Sequence, residues 1–264
     1  MSKKKILFVF GTRPEAIKLA PLIKSFQNDL NFNIEICVTA QHKVLLQQVL
    51  KFFNIQPDYN LKLMQPYQTL FEITTHGLDA LKKILEESKP DLVVVQGDTT
   101  SAFIGALAAY YKKIKVAHVE AGLRSDDKYS PFPEEINRAL ISRIADYHFA
   151  PTQTAVENLS KENVTKNVWM VGNTVIDALF ESINIFGNGN EAKYKEFFSF
   201  LDFSKKIILV TGHRRESFGK PLSSICSALK ELANRFEDVQ IVYPLHLNPH
   251  VELPVKKLLK NIFY

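Results

Sequence analysis

Lys5-Ile6-Leu7-Phe8-Val9-Phe10, followed at once by Gly11-Thr12-Arg13-Pro14-Glu15, is an apolar run of strand length that breaks at a glycine and reopens as a helix start. An apolar run without polar alternation suits a strand buried on both faces, as in parallel sheets. The same rhythm recurs along the chain. Strands are expected over 33–38, 91–96, 115–119, 147–150 and 168–171, separated by helical periodicity beginning near Pro14, His42, Thr69, Thr100, Pro133 and Thr152. This β-α-β-α order predicts an α/β fold built on an open, mostly parallel sheet with helices on both faces.

The pattern changes over 173–204, where a helix from Asn173 runs out near Gly187-Asn188-Gly189-Asn190 and a polar, Phe-bearing stretch follows. Beyond it, Lys206 to Thr211 and Val239 to Pro244 are expected as strands, Pro221 to Phe236 as a helix, and Val251 to Lys260 as a weaker helix containing Pro254. Residues 1–180 are therefore expected as an N-terminal Rossmann-like domain, 181–204 as a hinge and 205–264 as a partial second domain. Two strands and two helices do not cover both faces of a parallel sheet, so the second domain is expected to be incomplete by itself.

The chain has 264 residues, 46% of them hydrophobic and 23% charged, which excludes wholesale disorder and fibrous repeats. Its longest charge-free apolar stretch, Ser101 to Tyr111, is well short of the roughly 18–20 residues of a spanning helix. The apolar run 6–10 is too short for a secretory signal, so a cytoplasmic protein without a membrane partner is expected. The 33 basic and 28 acidic side chains give a net charge of +5, with Lys3, Lys4 and Lys5 in one terminal run. Elsewhere the cations are interleaved with Asp and Glu, which fits a local anionic ligand better than a nucleic acid. Cys37 and Cys226 have no Cys near them and read as small buried hydrophobes.

Ligands of open α/β sheets collect beyond the carboxyl ends of the strands, so the turns there carry the chemistry. Gly11-Thr12-Arg13-Pro14-Glu15 lacks the G-x-G-x-x-G of dinucleotide binding and the G-K-[ST] of a P-loop, so no nicotinamide cofactor is expected. It does place a helix N-terminus beside Arg13, with Lys18 about one turn on, an arrangement that favours phosphate. Thr12-x-x-Glu15 also has the spacing of a capping box, which accounts for Glu15 but not for Arg13. Asp98, in Gly97-Asp98-Thr99-Thr100, is either a helix N-cap or a free carboxylate. Glu120 ends the next strand with no helix immediately after it to cap, and its structural alternative is an ion pair with Arg124. Two carboxylates at neighbouring strand ends make an acid and a base available together.

In Pro133-Glu134-Glu135-Ile136-Asn137-Arg138, residues Glu134 and Arg138 share a helix face at i, i+4, the spacing of an ordinary helical ion pair. His213, flanked by Arg214 and Arg215 after a strand, puts three potential cations together and so points to an anion. His246 and His42 suit a structural or a ligand role equally. His76, His148 and His250 are unassigned.

Taken together, Gly-Thr-Arg-Pro-Glu-Ala-Ile-Lys at 11–18, Thr-Ala-Gln-His at 39–42, Gly-Asp-Thr-Thr at 97–100, His-Val-Glu-Ala-Gly-Leu-Arg at 118–124, Pro-Glu-Glu-x-Asn-Arg at 133–138, Gly-Asn-Thr-Val-Ile-Asp at 172–177, Thr-Gly-His-Arg-Arg-Glu-Ser at 211–217 and Tyr-Pro-x-His-Leu-Asn-Pro at 243–249 resemble the bacterial, non-hydrolysing UDP-N-acetylglucosamine 2-epimerases. The resemblance runs along essentially the whole chain. It implies a GT-B-like fold of two Rossmann-like domains, a homodimer, and an isomerase that interconverts UDP-N-acetylglucosamine and UDP-N-acetylmannosamine for bacterial surface polysaccharide. It places Arg13, Lys18, Asp98, Glu120 and His213 at ligand-contact or reaction positions, with Glu134 and Arg138 on the catalytic helix. The family pattern continues past the last motif with a Ser-Gly-Gly-containing segment and nucleotide-binding acidic residues, so the chain is expected to be C-terminally truncated relative to the family.

The implied chemistry is elimination and re-addition of UDP, because the C2 hydrogen of the sugar adjoins no carbonyl and a base alone is too weak. It needs acid-base groups on both faces of the ring, for which Asp98, Glu120 and Glu134 are candidates, and cations for the pyrophosphate, for which Arg13, Lys18, Arg138 and His213 are candidates. No metal or cofactor is required. A hydrolysing relative or a sugar transferase is expected to release UDP without returning it. A non-catalytic nucleotide-sugar-binding or regulatory subunit is expected to bind without turnover.

Overall fold

The computed structural model describes residues 3–39, 43–63, 68–187, 189, 191–212, 219–245 and 249–260. The chain divides into two compact units, Met1–Phe186 and Gly187–Tyr264. The first runs β1 (Lys4–Phe10), α1 (Arg13–Gln27), β2 (Phe32–Val38), α2 (Lys43–Phe52), β3 (Tyr59–Asn60), α3 (Leu70–Ser88), β4 (Leu92–Gln96), α4 (Thr100–Tyr111), β5 (Lys115–Val119), α5 (Glu134–Ile144), β6 (Tyr147–Ala150), α6 (Gln153–Lys161), β7 (Val168–Met170) and α7 (Val175–Gly187). Its seven strands form one sheet in the order β3-β2-β1-β4-β5-β6-β7, every neighbouring pair parallel.

The continuous apolar run of β1 has a direct cause. Ile6, Phe8 and Phe10 point to one face of the sheet, where they meet Leu19 and Ile23 of α1 and Leu46 and Leu50 of α2. Leu7 and Val9 point to the other, against Leu81 and Leu85 of α3 and Ile104 of α4. Each of these β1 side chains is buried, worth about 1.5–3 kcal/mol apiece relative to exposure. Cys37 is buried on the second face, where loss of solvent pushes its thiol up to about 12 and leaves it a packing residue. Cys226 is also buried and unbonded, as expected for a small hydrophobe.

Three of the helices begin at a threonine whose hydroxyl accepts from an N–H in the first turn. Thr69 accepts from Glu72, Thr99 from Ala102 and Thr152 from Ala155, satisfying donors that have no partner within the helix. Strand β3 was not expected from the sequence. It is a two-residue pairing with Cys37 and Val38, too short to show an apolar run.

The second unit contains α8 (Glu191–Phe197), β8 (Lys206–Leu209), α9 (Lys220–Arg235), β9 (Val239–Val242) and α10 (Pro249–Leu258). Strands β8 and β9 are parallel, with Lys206 opposite Val239 and Leu209 opposite Val242. Leu222, Cys226 and Leu229 of α9 pack with Tyr243, Val251, Val255 and Leu259 as a separate core. The polar stretch expected as a hinge carries α8, a helix with no buried residue. Among the described residues, no helix is long and apolar enough to cross a membrane.

Candidate active site

Chain order in the first sheet reverses between β1 and β4, which lie side by side, so the turns leaving their carboxyl ends diverge and open a crevice. Gly11 leaves β1 between Thr39 and Ser101, whose hydroxyls are hydrogen-bonded to each other at 2.7 Å. A Cβ on Gly11 would stand 2.1 Å from Thr39 Oγ1 and 2.2 Å from Ser101 Oγ. Gly11→Ala is therefore expected to lower stability by about 1–3 kcal/mol, the usual result of overpacking, read as an earlier urea unfolding midpoint.

Glu15 is buried beneath this turn. Its Oε2 accepts from Gly11 N at 3.0 Å and Thr12 N at 2.7 Å, and its Oε1 accepts from Thr99 Oγ1 at 2.6 Å. The side chain thus ties the turn after β1 to the turn after β4, and burial pushes its carboxyl up despite these bonds. Two amides beside the start of α1 are therefore taken by Glu15, as the capping reading required. Arg13 is exposed and lines a hollow of about 360 Å³ with Gln48, Phe52, Phe53 and Ser182. Among the described residues, no hydrogen bond or ion pair joins Arg13 to Asp98 or Glu120.

Asp98 follows Gly97, whose φ of +70° is the left-handed conformation that glycine adopts without a Cβ clash. The N-cap of α4 is Thr99, so Asp98 does not cap that helix and its carboxylate turns elsewhere. It pairs with the Arg138 guanidinium, while Asn137 Nδ2 donates to the Asp98 carbonyl at 2.9 Å. Burial pushes the Asp98 carboxyl up; Arg138 opposes that, and the negative charges of Glu134 and Glu120 reinforce it. The expected helical pair of Arg138 with Glu134 is replaced by pairs with Asp98 and, at 3.5 Å, with Glu135 one residue closer. Glu135 is buried because it also accepts from Ser125 N at 3.1 Å and Asp126 N at 3.3 Å, bracing the loop after β5.

Glu120, immediately after β5, has φ +66°, a left-handed conformation that costs a residue bearing a Cβ about 1–2 kcal/mol. Surrounding contacts hold it there: Lys18 Nζ of α1 donates at 2.5 Å, and the Gln96 side-chain amide at the end of β4 donates as well. The alternative partner, Arg124, is engaged elsewhere, with two bonds to Glu162 at 2.5 and 2.8 Å and one to Ser142 Oγ at 3.1 Å. The first unit thus gathers Asp98, Glu120, Glu134, Lys18 and Arg138 from β4, β5, α1 and α5. Strain of this kind persists where the surroundings over-determine it, often at functional positions.

The sequence reading gave no role to Gln96, Glu135 and Asn137. Gln96 was signalled as the one amide closing the run Leu92-Val93-Val94-Val95, and the other two stand inside a motif already quoted. His213, with Arg214 and Arg215, lies outside the described residues, as do His42 and His246.

His118, on β5, is fully buried, and burial pushes its imidazole down to about 3, with a smaller opposing effect from its bond to the Gly97 carbonyl. Charge on His148, Arg124 and Arg138 acts in the same direction as burial. A base whose folded pKa lies below its unfolded value contributes stability that is present above about 6.5 and lost as the pH falls toward 3. The stability advantage of wild type over His118→Gln is accordingly expected to shrink between pH 7 and pH 4.5, measured by urea unfolding at each pH. A constant difference would contradict it.

The family model for UDP-N-acetylglucosamine 2-epimerase matches residues 24–263. A UDP-N-acetylglucosamine 2-epimerase of Yersinia pestis is 53% identical over 261 residues, covering 98% of this chain and 69% of that protein. The crystal structure of the Neisseria meningitidis UDP-GlcNAc 2-epimerase bound to UDP-GlcNAc superposes with a TM-score of 0.89 at 46% identity, over 98% of this chain and 70% of that one. The S. aureus MnaA–UDP co-structure superposes at 0.83 with 44% identity, over 98% and 67%. These likenesses place the fold in the α/β, GT-B-like class. A matching family model over most of the length, and a relative 53% identical across 98% of the chain, establish that the chain belongs to the UDP-N-acetylglucosamine 2-epimerase family.

Proposed function

We propose that the protein interconverts UDP-N-acetylglucosamine and UDP-N-acetylmannosamine by eliminating and re-adding UDP. The observation that carries this reading is the pair Asp98 and Glu120. They sit at the ends of adjacent parallel strands, each on its own cation, with Asp98 held toward its acid form by burial and by the neighbouring carboxylates.

In the first half-reaction a carboxylate takes the C2 proton, and the C–H electron pair becomes the C1=C2 bond of a glycal. The anomeric C1–O bond breaks as this bond forms, and UDP leaves as the anion carrying the C1–O bonding pair. In the second, a carboxylic acid returns a proton to C2 from the opposite face and a UDP oxygen closes on C1. Nothing is oxidised and no water is consumed. One carboxyl must be protonated while another is ionised, and positioned acid-base groups of this kind supply typically about 10²–10⁴-fold. Asp98, Glu120 and Glu134 are the proton-exchanging groups in this proposal. Arg138 and Lys18 hold two of them and, with Arg13, meet the charge that develops on the departing pyrophosphate. A homodimeric state, a cytoplasmic location and service to surface polysaccharide synthesis belong to the same reading.

The test is product analysis by NMR with UDP-N-acetylglucosamine. The proposal expects UDP-N-acetylmannosamine to accumulate to equilibrium while total UDP-sugar is conserved. Stoichiometric free UDP with a free sugar indicates hydrolysis instead, and binding without either product indicates a non-catalytic protein.

A further inference from the structure

Resting on the reading that Asp98 exchanges the proton, we infer that His118 is a positioning residue that locks the turn carrying Asp98. The turn is held at three backbone points. Gly97 N donates to Val119 O at 2.9 Å, His118 Nε2 lies 2.7 Å from Gly97 O, and Asn137 Nδ2 donates to Asp98 O. A carbonyl oxygen only accepts, so His118 Nε2 must carry the proton and Nδ1 must be bare. Nδ1 is buried and has no hydrogen-bond partner.

That arrangement is costly as packing alone. A buried imidazole with one unsatisfied nitrogen forfeits hydration that an apolar side chain in the same strand, such as neighbouring Ala117 or Val119, never needed. Among the described residues its one hydrogen bond goes to the residue immediately before Asp98. With that bond and the Asn137 bond in place, the carbonyls on both sides of the Asp98 Cα are fixed. The carboxylate is then aimed by the backbone before Arg138 touches it. Gly97 alone does not supply this, since its left-handed φ removes the steric brake on the turn rather than adding one.

His118→Gln and His118→Asn separate this role from bulk, because both are neutral amides but only glutamine reaches about as far as Nε2. Steady-state kinetics of epimerisation across pH reads the result, with Asp98→Asn assayed in parallel. His118→Gln is expected within about 3-fold of wild-type kcat. His118→Asn is expected to lose about 10- to 100-fold in kcat, with KM changed by less than about 3-fold and the kcat limb that Asp98→Asn abolishes displaced in pH. The inference is overturned if His118→Asn matches wild type, if glutamine is as impaired as asparagine, or if the loss appears with that limb unmoved. An active Asp98→Asn enzyme removes the reading beneath it. An inactive Asp98→Asn beside an unaffected His118→Asn removes this inference alone. In the unmutated protein, ¹⁵N NMR should show the Nε2–H tautomer of one histidine persisting from pH 7 to 4.5; the Nδ1–H form contradicts the proposed bond.

Discussion

Asp98→Asn is expected to lower kcat for epimerisation by about 10²- to 10⁴-fold while KM for UDP-N-acetylglucosamine stays within about 3-fold. The substitution is nearly isosteric. It keeps a carbonyl oxygen for the Arg138 guanidinium and leaves the backbone bond from Asn137 to the Asp98 carbonyl intact. What it removes is a group able to gain and lose a proton. The surroundings of Asp98 are arranged for that exchange, since burial and the charges of Glu134 and Glu120 push its carboxyl up against the pull of Arg138. A ground-state binding role would show the opposite signature, a raised KM with kcat preserved. Near-normal turnover in Asp98→Asn would take this residue out of the chemistry.

Glu120→Gln is the second large expected effect, again about 10²- to 10⁴-fold in kcat. Here the structural cost can be separated from the chemical one. The left-handed backbone at residue 120 is the same burden for Gln as for Glu, so the variant does not relieve or add strain. It does leave Lys18 facing a neutral amide in a part-buried position, and a stability loss of about 1–3 kcal/mol is expected from that unpaired cation. Lys18→Met, which leaves the Glu120 carboxyl and its bond from Gln96 in place, tests the separation. It is expected to keep more activity than Glu120→Gln at comparable stability. A kcat loss in Glu120→Gln no larger than that in Lys18→Met would contradict a proton-exchanging role for Glu120. The double variant Asp98→Asn, Glu120→Gln should be little slower than either single one, because groups acting as a unit are not additive.

Much of this architecture is legible in the sequence because its cause is local. Residues 5–10 are apolar at every position but Lys5 since helices cover both faces of β1, and periodicity shows that without any long-range information. The turns after strands are marked by Gly11, Gly97 and the polar residues beside them for the same reason. Partner choice is not local. Arg138 has Glu134 four residues away and Asp98 forty, and the sequence pattern favours the first. The fold delivers the second by bringing the N-terminal turn of α5 over the end of β4. Glu120 and Arg124 are likewise near in sequence, yet Glu162, just past the end of α6, takes the arginine and Lys18 of α1 takes the glutamate. The roles of Gln96 and Asn137 depend entirely on which strand ends are adjacent, and strand order is not written in any single segment. Glu15 shows the reverse case. Its spacing from Thr12 announces the bond to the helix start, while the bond to Thr99 that links two turns across the crevice appears only in three dimensions.

The most direct test of a C2 proton exchange between Asp98 and Glu120 is epimerisation of UDP-N-acetylglucosamine in D₂O, followed by NMR at C2. The account predicts deuterium at C2 of UDP-N-acetylmannosamine from the first turnovers, with exchange lost in Asp98→Asn and in Glu120→Gln. Full retention of the C2 hydrogen in the product, or undiminished exchange in both variants, would contradict it.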